Sequence, residues 1–128
     1  MIESKYSIWV VDDDAISNFV TVRHLKQFKN LETILDFINP LDAISYLKSS
    51  MDTVQPDFIL LDINMPSLDG WSFLDQMRDM NVIFPKVFML TSSIYPEDYE
   101  RSQSYSLVKG FIIKPLDRIK IQKELDIE

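Results

Sequence analysis

The sequence predicts an α/β fold in which five parallel strands form one sheet with helices on both faces, a doubly wound (βα)5 arrangement. The first observation is a set of short apolar runs, rich in β-branched and aromatic residues, as is typical of buried parallel strands. The second is that stretches with helical spacing of apolar residues separate these runs in strict alternation. Parallel strands need a crossover connection, which a helix supplies. Residues 1–128 have the length of one domain and are predicted to form one.

Each strand and helix can be assigned in chain order. The predicted strands cover residues 7–11, 33–38, 57–62, 86–91 and 110–114. The predicted helices run from 16 to 28 and over 41–50, 70–80, 96–105 and 116–125. In the first helix, apolar residues at three- and four-residue spacing predict one buried face, formed by Ile16, Phe19, Val20, Val22, Leu25 and Phe28. Pro96 suits the first turn of the fourth helix.

The composition excludes several classes of protein. A net charge of −7 disfavours direct binding of nucleic acid, whose affinity comes largely from neutralised phosphates. The absence of cysteine excludes disulfides, thiol nucleophiles and Cys-type zinc sites. No apolar stretch is long enough to span a bilayer, and the start "MIESKYS" lacks signal-peptide character. A cytoplasmic protein without membrane contact is therefore expected.

Polar side chains with useful chemistry follow four of the five predicted strands. Asp12 and Asp13 follow the first strand, Asp62 ends the third, Thr91 ends the fourth and Lys114 ends the fifth. Ligands of open parallel sheets bind beyond the carboxyl ends of the strands. The sequence therefore predicts that these side chains meet at one edge of the sheet.

Three consecutive carboxylates, Asp12 to Asp14, favour a bound cation, because neighbouring carboxylates raise the cost of ionising one another. Asp14 is interpreted as the cap of the first helix, where a carboxylate accepts free N–H groups. Oxygen ligands without histidine or thiol favour a hard cation such as Mg²⁺. A Mg²⁺ site suits phosphoryl transfer, and Asp62 is the natural nucleophile because a carboxylate can form an aspartyl phosphate.

Four motifs together carry a resemblance to a known family. They are "VVDDD" (10–14), "ILLDINMPSLDG" (59–70), "VFMLTSS" (87–93) and "GFIIKP" (110–115). In their order and spacing the chain closely resembles the receiver domain of two-component response regulators, of the stand-alone type. The resemblance implies a flavodoxin-like fold and a protein that takes a phosphoryl group from a histidine of a sensor histidine kinase or a histidine phosphotransfer protein.

The resemblance also assigns roles to the residues at the strand ends. Asp62 is implied to be the phosphoacceptor. Mg²⁺ would be bound by Asp12, Asp13 and Asp62, with Asp13 the more direct ligand of the acidic pair. The backbone carbonyl of Asn64 would complete the protein ligands.

A switch is implied by the same resemblance. Thr91 and Lys114 would each bond an oxygen of the phosphoryl group, and the bond between Lys114 and Pro115 is often cis in the family. Phe111 occupies the position of the switch aromatic, which moves inward when the threonine is drawn towards the phosphate. The face formed by the fourth helix, the fifth strand and the fifth helix would then change its affinity for partner proteins.

Some positions depart from the family pattern. Leu107 and Val108 replace a common Gly-Ala pair, so the approach to the fifth strand is expected to differ. Phe111 lacks the hydroxyl of a switch tyrosine, and plain core packing is its competing interpretation. His24 falls on the apolar line of the first helix and is interpreted as a boundary residue rather than a phosphohistidine.

Two other functions fit parts of the pattern. A small haloacid-dehalogenase-type phosphatase would use Asp12 as its nucleophile. That family needs a second acidic pair after its lysine, where "KPLDRIKIQ" supplies only Asp117. The second alternative is a receiver fold that acts unphosphorylated as an interaction domain, but every phosphorylation residue is present and gives no reason to prefer it.

The chain ends soon after the fifth predicted helix, so no output domain is expected. Its output is then contact with a downstream protein, or it serves as a relay or sink for phosphoryl groups, with homodimer formation left open. No enzymatic activity is expected beyond its own phosphorylation and dephosphorylation. Asn64 and Ser93, two positions after Asp62 and Thr91, are predicted to influence water access and hence the dephosphorylation rate.

Overall fold

The computed structural model describes residues 5–49 and 55–127, which form one five-stranded sheet flanked by helices. Strands and helices alternate throughout, as predicted. The elements are β1 (Tyr6–Val11), α1 (Ala15–Leu25), β2 (Leu31–Phe37), α2 (Pro40–Ser49), β3 (Phe58–Asp62), α3 (Gly70–Asp79), β4 (Lys86–Thr91), α4 (Pro96–Ser102), β5 (Val108–Ile113) and α5 (Arg118–Leu125). Across both described ranges, every helix is too short or too polar to traverse a bilayer.

The sheet has the strand order β2-β1-β3-β4-β5, and every neighbouring pair is parallel. The chain therefore starts in the interior of the sheet, moves outward to β2, and then crosses back past β1 to build β3, β4 and β5. This reversal of direction lies between β1 and β3. In doubly wound sheets the crevice at such a reversal is the preferred position for a ligand. The predicted fold class is confirmed.

Two apolar clusters separate the sheet from its two helical layers. Along β1 the side chains alternate: Trp9 and Val11 pack with α2 and α3, whereas Ile8 and Val10 pack with α1 and α5. Both faces of the central strands are buried, so their sequences are continuous apolar runs rather than alternating ones. This explains why the strands could be recognised in the sequence.

α1 buries a different face from the predicted one. Leu25 and Phe28 are buried, as expected. The side chains of Ile16 and Phe19, however, are 78% and 65% exposed, so the prediction was wrong for these two residues. The apolar spacing in α1 therefore describes only the second half of the helix.

The first half of α1 buries polar side chains instead. Asn18 is buried, and its Nδ2 donates to the carbonyl of Asp12 at 3.2 Å and to that of Phe37 at 3.3 Å. Thr21, one turn later, is also buried. Asn18 thus connects the carboxyl ends of β1 and β2, and an apolar side chain could not supply the donor.

Several element ends differ from the predicted ones. α4 ends at Ser102 rather than at residue 105. Beyond Ser102 the backbone N–H groups donate to the carbonyl three residues earlier, so the chain continues as turns. β5 begins at Val108 rather than at residue 110, because Val108 already pairs with Val87 of β4. α5 begins at Arg118 because the Asp117 carboxylate caps it. These ends depend on pairing and capping, which apolar periodicity does not report.

α4 is held to α3 by aromatic and charged contacts. The ring of Trp71 on α3 lies 5.6 Å from the ring of Tyr105, and the guanidinium of Arg101 lies 5.1 Å from the Trp71 ring. The Tyr105 hydroxyl donates to the Asp75 carboxylate at 2.8 Å. Burial, together with this contact to Asp75, raises the pKa of Tyr105 above its ordinary value. The turn between α4 and β5 is therefore anchored on α3.

Candidate functional site

Four neighbouring strands bring the predicted site residues to one edge of the sheet. Asp12 follows the last residue of β1, Asp62 and Thr91 are the last residues of β3 and β4, and Lys114 follows the last residue of β5. Asp12 is fully buried, and Asp62 and Thr91 are 6% and 3% exposed. This edge lies at the β1–β3 reversal of the sheet.

The loop after β3 folds back against the end of that strand. The backbone N–H of Gly70 donates to the carbonyl of Ile63 at 2.8 Å. A Cβ atom on Gly70 would lie 2.8 Å from the Asp62 carbonyl oxygen and 3.0 Å from the Ile63 Cα atom. Glycine therefore permits an approach that any side chain would obstruct. It places the N-terminus of α3 close to Asp62.

Three carboxylates form a cluster at the β1–β3 boundary. Asp12, Asp13 and Asp62 each present an oxygen, and these oxygens lie within 4.8 Å of one another. Asp13 is partly exposed, and within residues 5–49 and 55–127 its carboxylate has no hydrogen-bond or ion-pair partner. Asp14 caps α1, as predicted, by accepting from the backbone N–H groups of Ile16 and Ser17. The cluster offers only hard oxygen ligands, which fit Mg²⁺.

Both oxygens of the Asp12 carboxylate are already engaged by the protein. Oδ1 accepts from the backbone N–H of Asp14 at 3.0 Å. Oδ2 accepts from the Ser17 hydroxyl at 2.6 Å and from Lys114 Nζ at 2.9 Å. Asp12 is thus fixed in orientation, whereas Asp13 is free to bind a cation. The contact to Ser17 was missed in the sequence, where the only signal is a hydroxyl five residues after Asp12.

Lys114 bridges two carboxylates. Its Nζ lies 2.9 Å from Asp12 Oδ2 and 3.4 Å from Asp62 Oδ2. Burial lowers the pKa of Lys114, but its contacts with Asp12 and then Asp62 outweigh burial, and the pKa lies above its ordinary value. Lys114 therefore carries its charge throughout the physiological range.

Burial has the opposite effect on Asp62. Burial raises the pKa of this carboxyl to about 6, with Lys114 lowering it and the neighbouring Asp12 raising it further. The pKa is raised chiefly because burial disfavours the charged form, and the contact with Lys114 offsets only part of this effect. At neutral pH Asp62 is still mainly ionised.

The remaining predicted residues surround this centre. The Thr91 hydroxyl donates to the carbonyl of Ser93 at 2.6 Å. Phe111 is half-buried, and its ring lies 6.4 Å from the ring of Tyr99 on α4. The Lys114–Pro115 bond is cis, as the resemblance implied. His24 is half-buried, which confirms its boundary position. Asn64 is exposed in the loop after β3.

An open parallel α/β sheet, with a carboxylate cluster and a lysine at the carboxyl ends of its strands, defines a class of signalling receiver domains. Residues 8–126 match the family described as the response regulator receiver domain. The chain belongs to this family.

Relatives and solved structures show the same similarity. The chain is 32% identical over 97 residues to protein-glutamate methylesterase/protein-glutamine glutaminase 2 of Syntrophus aciditrophicus, covering 73% of this chain and 25% of that protein. It is 36% identical over 109 residues to the alkaline phosphatase synthesis transcriptional regulatory protein PhoP of Bacillus subtilis, covering 84% and 42%. The chain thus spans less than half of either relative.

Among solved structures, a two-component response regulator from Cytophaga hutchinsonii superposes with a TM-score of 0.84 at 26% identity, covering 95% of this chain and 96% of that one. The chemotaxis protein CheY4 of Vibrio cholerae superposes with a TM-score of 0.80 at 19% identity, covering 96% and 98%. The second likeness supports the flavodoxin-like fold alone.

Proposed function

We propose that the chain accepts a phosphoryl group on Asp62 from a phosphohistidine of a sensor kinase or phosphotransfer protein in the cytoplasm. The observation that carries this proposal is the position of Asp62 at the end of β3. There Asp62 is 6% exposed, and its carboxylate belongs to the acidic cluster and lies 3.4 Å from Lys114 Nζ. The raised pKa of Asp62, about 6, leaves it ionised at neutral pH and ready to attack.

The transfer forms one bond and breaks one. A carboxylate oxygen of Asp62 attacks the phosphorus of the phosphohistidine. The bond between phosphorus and the imidazole nitrogen breaks, and its electron pair remains on that nitrogen. Dephosphorylation is the attack of a water oxygen on the same phosphorus, which releases inorganic phosphate and restores the carboxylate. The chain promotes only these reactions of its own side chain.

Mg²⁺ fits the cluster because its oxygens are hard ligands within 4.8 Å of one another. Of the four predicted ligands, Asp13, Asp62 and the backbone carbonyl of Asn64 would hold the ion directly. Asp12, whose two oxygens already accept from the protein, would orient the group around it. When bound, the ion would neutralise part of the charge that the phosphoryl oxygens bring.

Lys114 and Thr91 are the side chains that would bind the oxygens of a phosphoryl group on Asp62. Lys114 carries a positive charge 3.4 Å from Asp62 and would pair with a phosphoryl oxygen. The Thr91 hydroxyl would exchange its bond to the carbonyl of Ser93, 2.6 Å long, for a bond to a phosphoryl oxygen. Movement of Thr91 would open space that Phe111 fills, which shifts an existing balance between two states.

A partner protein would recognise that shift at the surface formed by α4, β5 and α5. Phe111 of β5 already contacts Tyr99 of α4. Large apolar side chains are exposed on these elements or directly before α4: Ile94, Tyr95, Tyr99, Ile113 and Ile119. A partner protein that covers them would bind with an affinity that depends on the position of Phe111. The stand-alone status, the downstream partner and a homodimer stay predictions.

The exposed side chains of α1 suggest where the donor binds. Ile16 and Phe19 are exposed on the helix that Asp14 caps, three and six residues after Asp13 of the acidic cluster. A donor histidine must approach Asp62 across this edge, so its protein must cover neighbouring surface. We therefore assign Ile16 and Phe19 to the donor interface.

Replacing Ile16 and Phe19 by serine should slow phosphotransfer by at least about tenfold. The donor is one that phosphorylates the unsubstituted chain. A tenfold effect corresponds to the loss of about 1.4 kcal/mol of contact energy. Labelling by acetyl phosphate should stay unchanged. Ile83→Ser is the matched control, because Ile83 is 84% exposed but precedes β4 and so lies at the opposite edge of the sheet. Equal losses with both phosphoryl donors would contradict the assignment.

The experiment that tests the proposed function is mass spectrometry of the intact protein after incubation with acetyl phosphate. The reaction is run with Mg²⁺, with a chelator, and with the variants Asp62→Asn and Asp36→Asn. Asp36 is an exposed carboxylate on β2 and serves as the control. A gain of one phosphoryl group that requires Mg²⁺ and Asp62, but not Asp36, is expected. No gain with acetyl phosphate, and no binding of beryllofluoride, would favour a receiver fold that acts without phosphorylation.

The phosphatase alternative is disfavoured by the surroundings of Asp12. Its carboxylate is fully buried, and both of its oxygens accept hydrogen bonds or an ion pair from the protein. A nucleophile needs a free oxygen that faces the substrate. Asp62, with one ion pair and a position in the same cluster, is better suited.

A further inference from the structure

Within residues 5–49 and 55–127, the Ser17 hydroxyl is a side-chain donor to the acidic cluster that the proposed roles leave unused. Ser17 lies in the first turn of α1 and donates to Asp12 Oδ2 at 2.6 Å. The same oxygen accepts from Lys114 Nζ at 2.9 Å. One carboxylate oxygen thus has two donors, of which one is charged and the other is fixed to the start of a helix.

Pairing with a phosphoryl oxygen on Asp62 would shift Lys114 Nζ from Asp12 towards Asp62. In the structure its Nζ is closer to Asp12 than to Asp62, at 2.9 Å against 3.4 Å. A phosphoryl group on Asp62 would draw Nζ away from Asp12. The Asp12 carboxylate is fully buried and cannot replace the lost donor with bulk water. A buried carboxylate oxygen without a donor is costly, and this cost would oppose the movement of Lys114.

We propose that Ser17 is a positioning residue for phosphoryl capture. This inference rests on the proposed function. The Ser17 hydroxyl keeps Asp12 Oδ2 satisfied while Lys114 transfers to the phosphoryl group, and so lowers the cost of that transfer. It touches neither the metal ligand Asp13 nor Asp62 in the resting chain, and therefore acts on Lys114 through Asp12.

The first test separates metal binding from phosphoryl capture. Calorimetry would measure the affinity of Ser17→Ala for Mg²⁺ alone and, at saturating Mg²⁺, for beryllofluoride as a phosphoryl mimic. The Kd for beryllofluoride should rise about tenfold, because Lys114 then leaves Asp12 less readily, whereas the Kd for Mg²⁺ should change less than about twofold. Ser17→Thr, which retains the hydroxyl, should restore the affinity.

Ser104→Ala is the matched control for the loss of a serine hydroxyl. Ser104 donates to the carbonyl of Arg101 at 2.8 Å and lies between α4 and β5, at the opposite edge of the sheet. Both of its affinities should equal those of the unsubstituted chain. A structural effect of Ser17→Ala would weaken the binding of Mg²⁺ and beryllofluoride alike, and this result would overturn the inference.

The second test needs no metal and no phosphoryl mimic. A double-mutant cycle would combine Ser17→Ala with Lys114→Met and measure urea unfolding in chelator at pH 7.5. If the two donors substitute for each other on Asp12, Ser17→Ala should lower the urea midpoint at least twice as much in the Lys114→Met chain as in the unsubstituted one. Equal losses in the two backgrounds would refute the shared role.

The two proposals fail in distinguishable ways. If the unsubstituted chain neither binds beryllofluoride nor accepts a phosphoryl group, the proposed function is wrong and this inference falls with it. If the unsubstituted chain binds beryllofluoride and Ser17→Ala binds it equally well, this inference alone is overturned.

Discussion

Replacement of the Asp62 carboxylate by an amide should stabilise the metal-free protein. Burial raises the pKa of Asp62 from 3.8 to about 6. A folded pKa above the unfolded one means that the folded chain binds more protons between these values. The free energy of unfolding therefore falls as pH rises through about 4 to 6, and the full loss is present above that range. Asp62→Asn removes the ionisable group and with it this loss of unfolding free energy.

The size of this stability penalty follows from the pKa shift of Asp62. A rise of about 2 pH units at about 1.4 kcal/mol per unit sets a penalty of about 3 kcal/mol at neutral pH. With a urea dependence of about 1.5 to 3 kcal/mol per molar, the midpoint of Asp62→Asn should exceed that of the unsubstituted chain by about 1 to 2 M. Trp9 and Trp71, both 4% exposed, supply a fluorescence signal for unfolding.

The assay compares the unsubstituted chain, Asp62→Asn and the exposed control Asp36→Asn in chelator at pH 4 and pH 7.5. Asp62→Asn should gain stability over the unsubstituted chain at pH 7.5 and lose most of that gain at pH 4. Asp36→Asn should stay within about 0.5 kcal/mol of the unsubstituted chain. Saturating Mg²⁺ should stabilise the unsubstituted chain more than Asp62→Asn, since in the proposed site the ion would bind the folded state through this carboxylate. An Asp62→Asn chain no more stable than the unsubstituted one at pH 7.5 would refute the electrostatic reasoning.

Three further predictions concern the loop after β3 and the anchor of α4. Gly70→Ala should lower the free energy of unfolding by about 1 to 3 kcal/mol in urea titrations, because the new Cβ would lie 2.8 Å from the Asp62 carbonyl oxygen; no loss would mean that the loop yields freely. Tyr105→Phe should cost about 1 kcal/mol, since it removes the 2.8 Å hydrogen bond to Asp75. Its ultraviolet titration should also lack a tyrosine that ionises above the ordinary range, and an unchanged titration curve would contradict the raised pKa. Asn64→Ala should change the rate at which phosphoryl groups are lost by several-fold with stability within about 0.5 kcal/mol, because Asn64 is exposed; unchanged decay, followed by mass spectrometry, would contradict a role in water access.

The strands and the site edge could be predicted because both leave a local signal. A strand buried on both faces is a continuous apolar run, and the polar residue that ends the run marks the edge of the sheet. Asp12, Asp62, Thr91 and Lys114 all follow this rule. The sequence therefore indicates which side chains share an edge, although it gives no distances between them.

The first helix could not be predicted in the same way. Ile16 and Phe19 continue the spacing of Leu25, yet they are exposed. The first turns of α1 lie at the edge of the sheet, where Asn18 donates to two strand-end carbonyls. Apolar periodicity reports where a helix meets a core, and at this edge there is no core to meet. Apolar periodicity also gives no signal for the Ser17 contact to Asp12, because that contact depends on the turn from β1 into α1.

In the proposed function, chemistry and recognition are carried by different parts of this fold. The residues proposed for phosphorylation lie at strand ends, which the buried sheet holds in place, whereas Ile16 and Phe19, proposed to contact the donor, project from a helix surface. Substitution of an exposed side chain changes stability little. Descendants of one ancestral gene can thus exchange these surface residues step by step and acquire separate partners, while every copy keeps the same reaction. Specificity for different phosphoryl donors can therefore evolve through substitutions on α1, with no change at the strand ends.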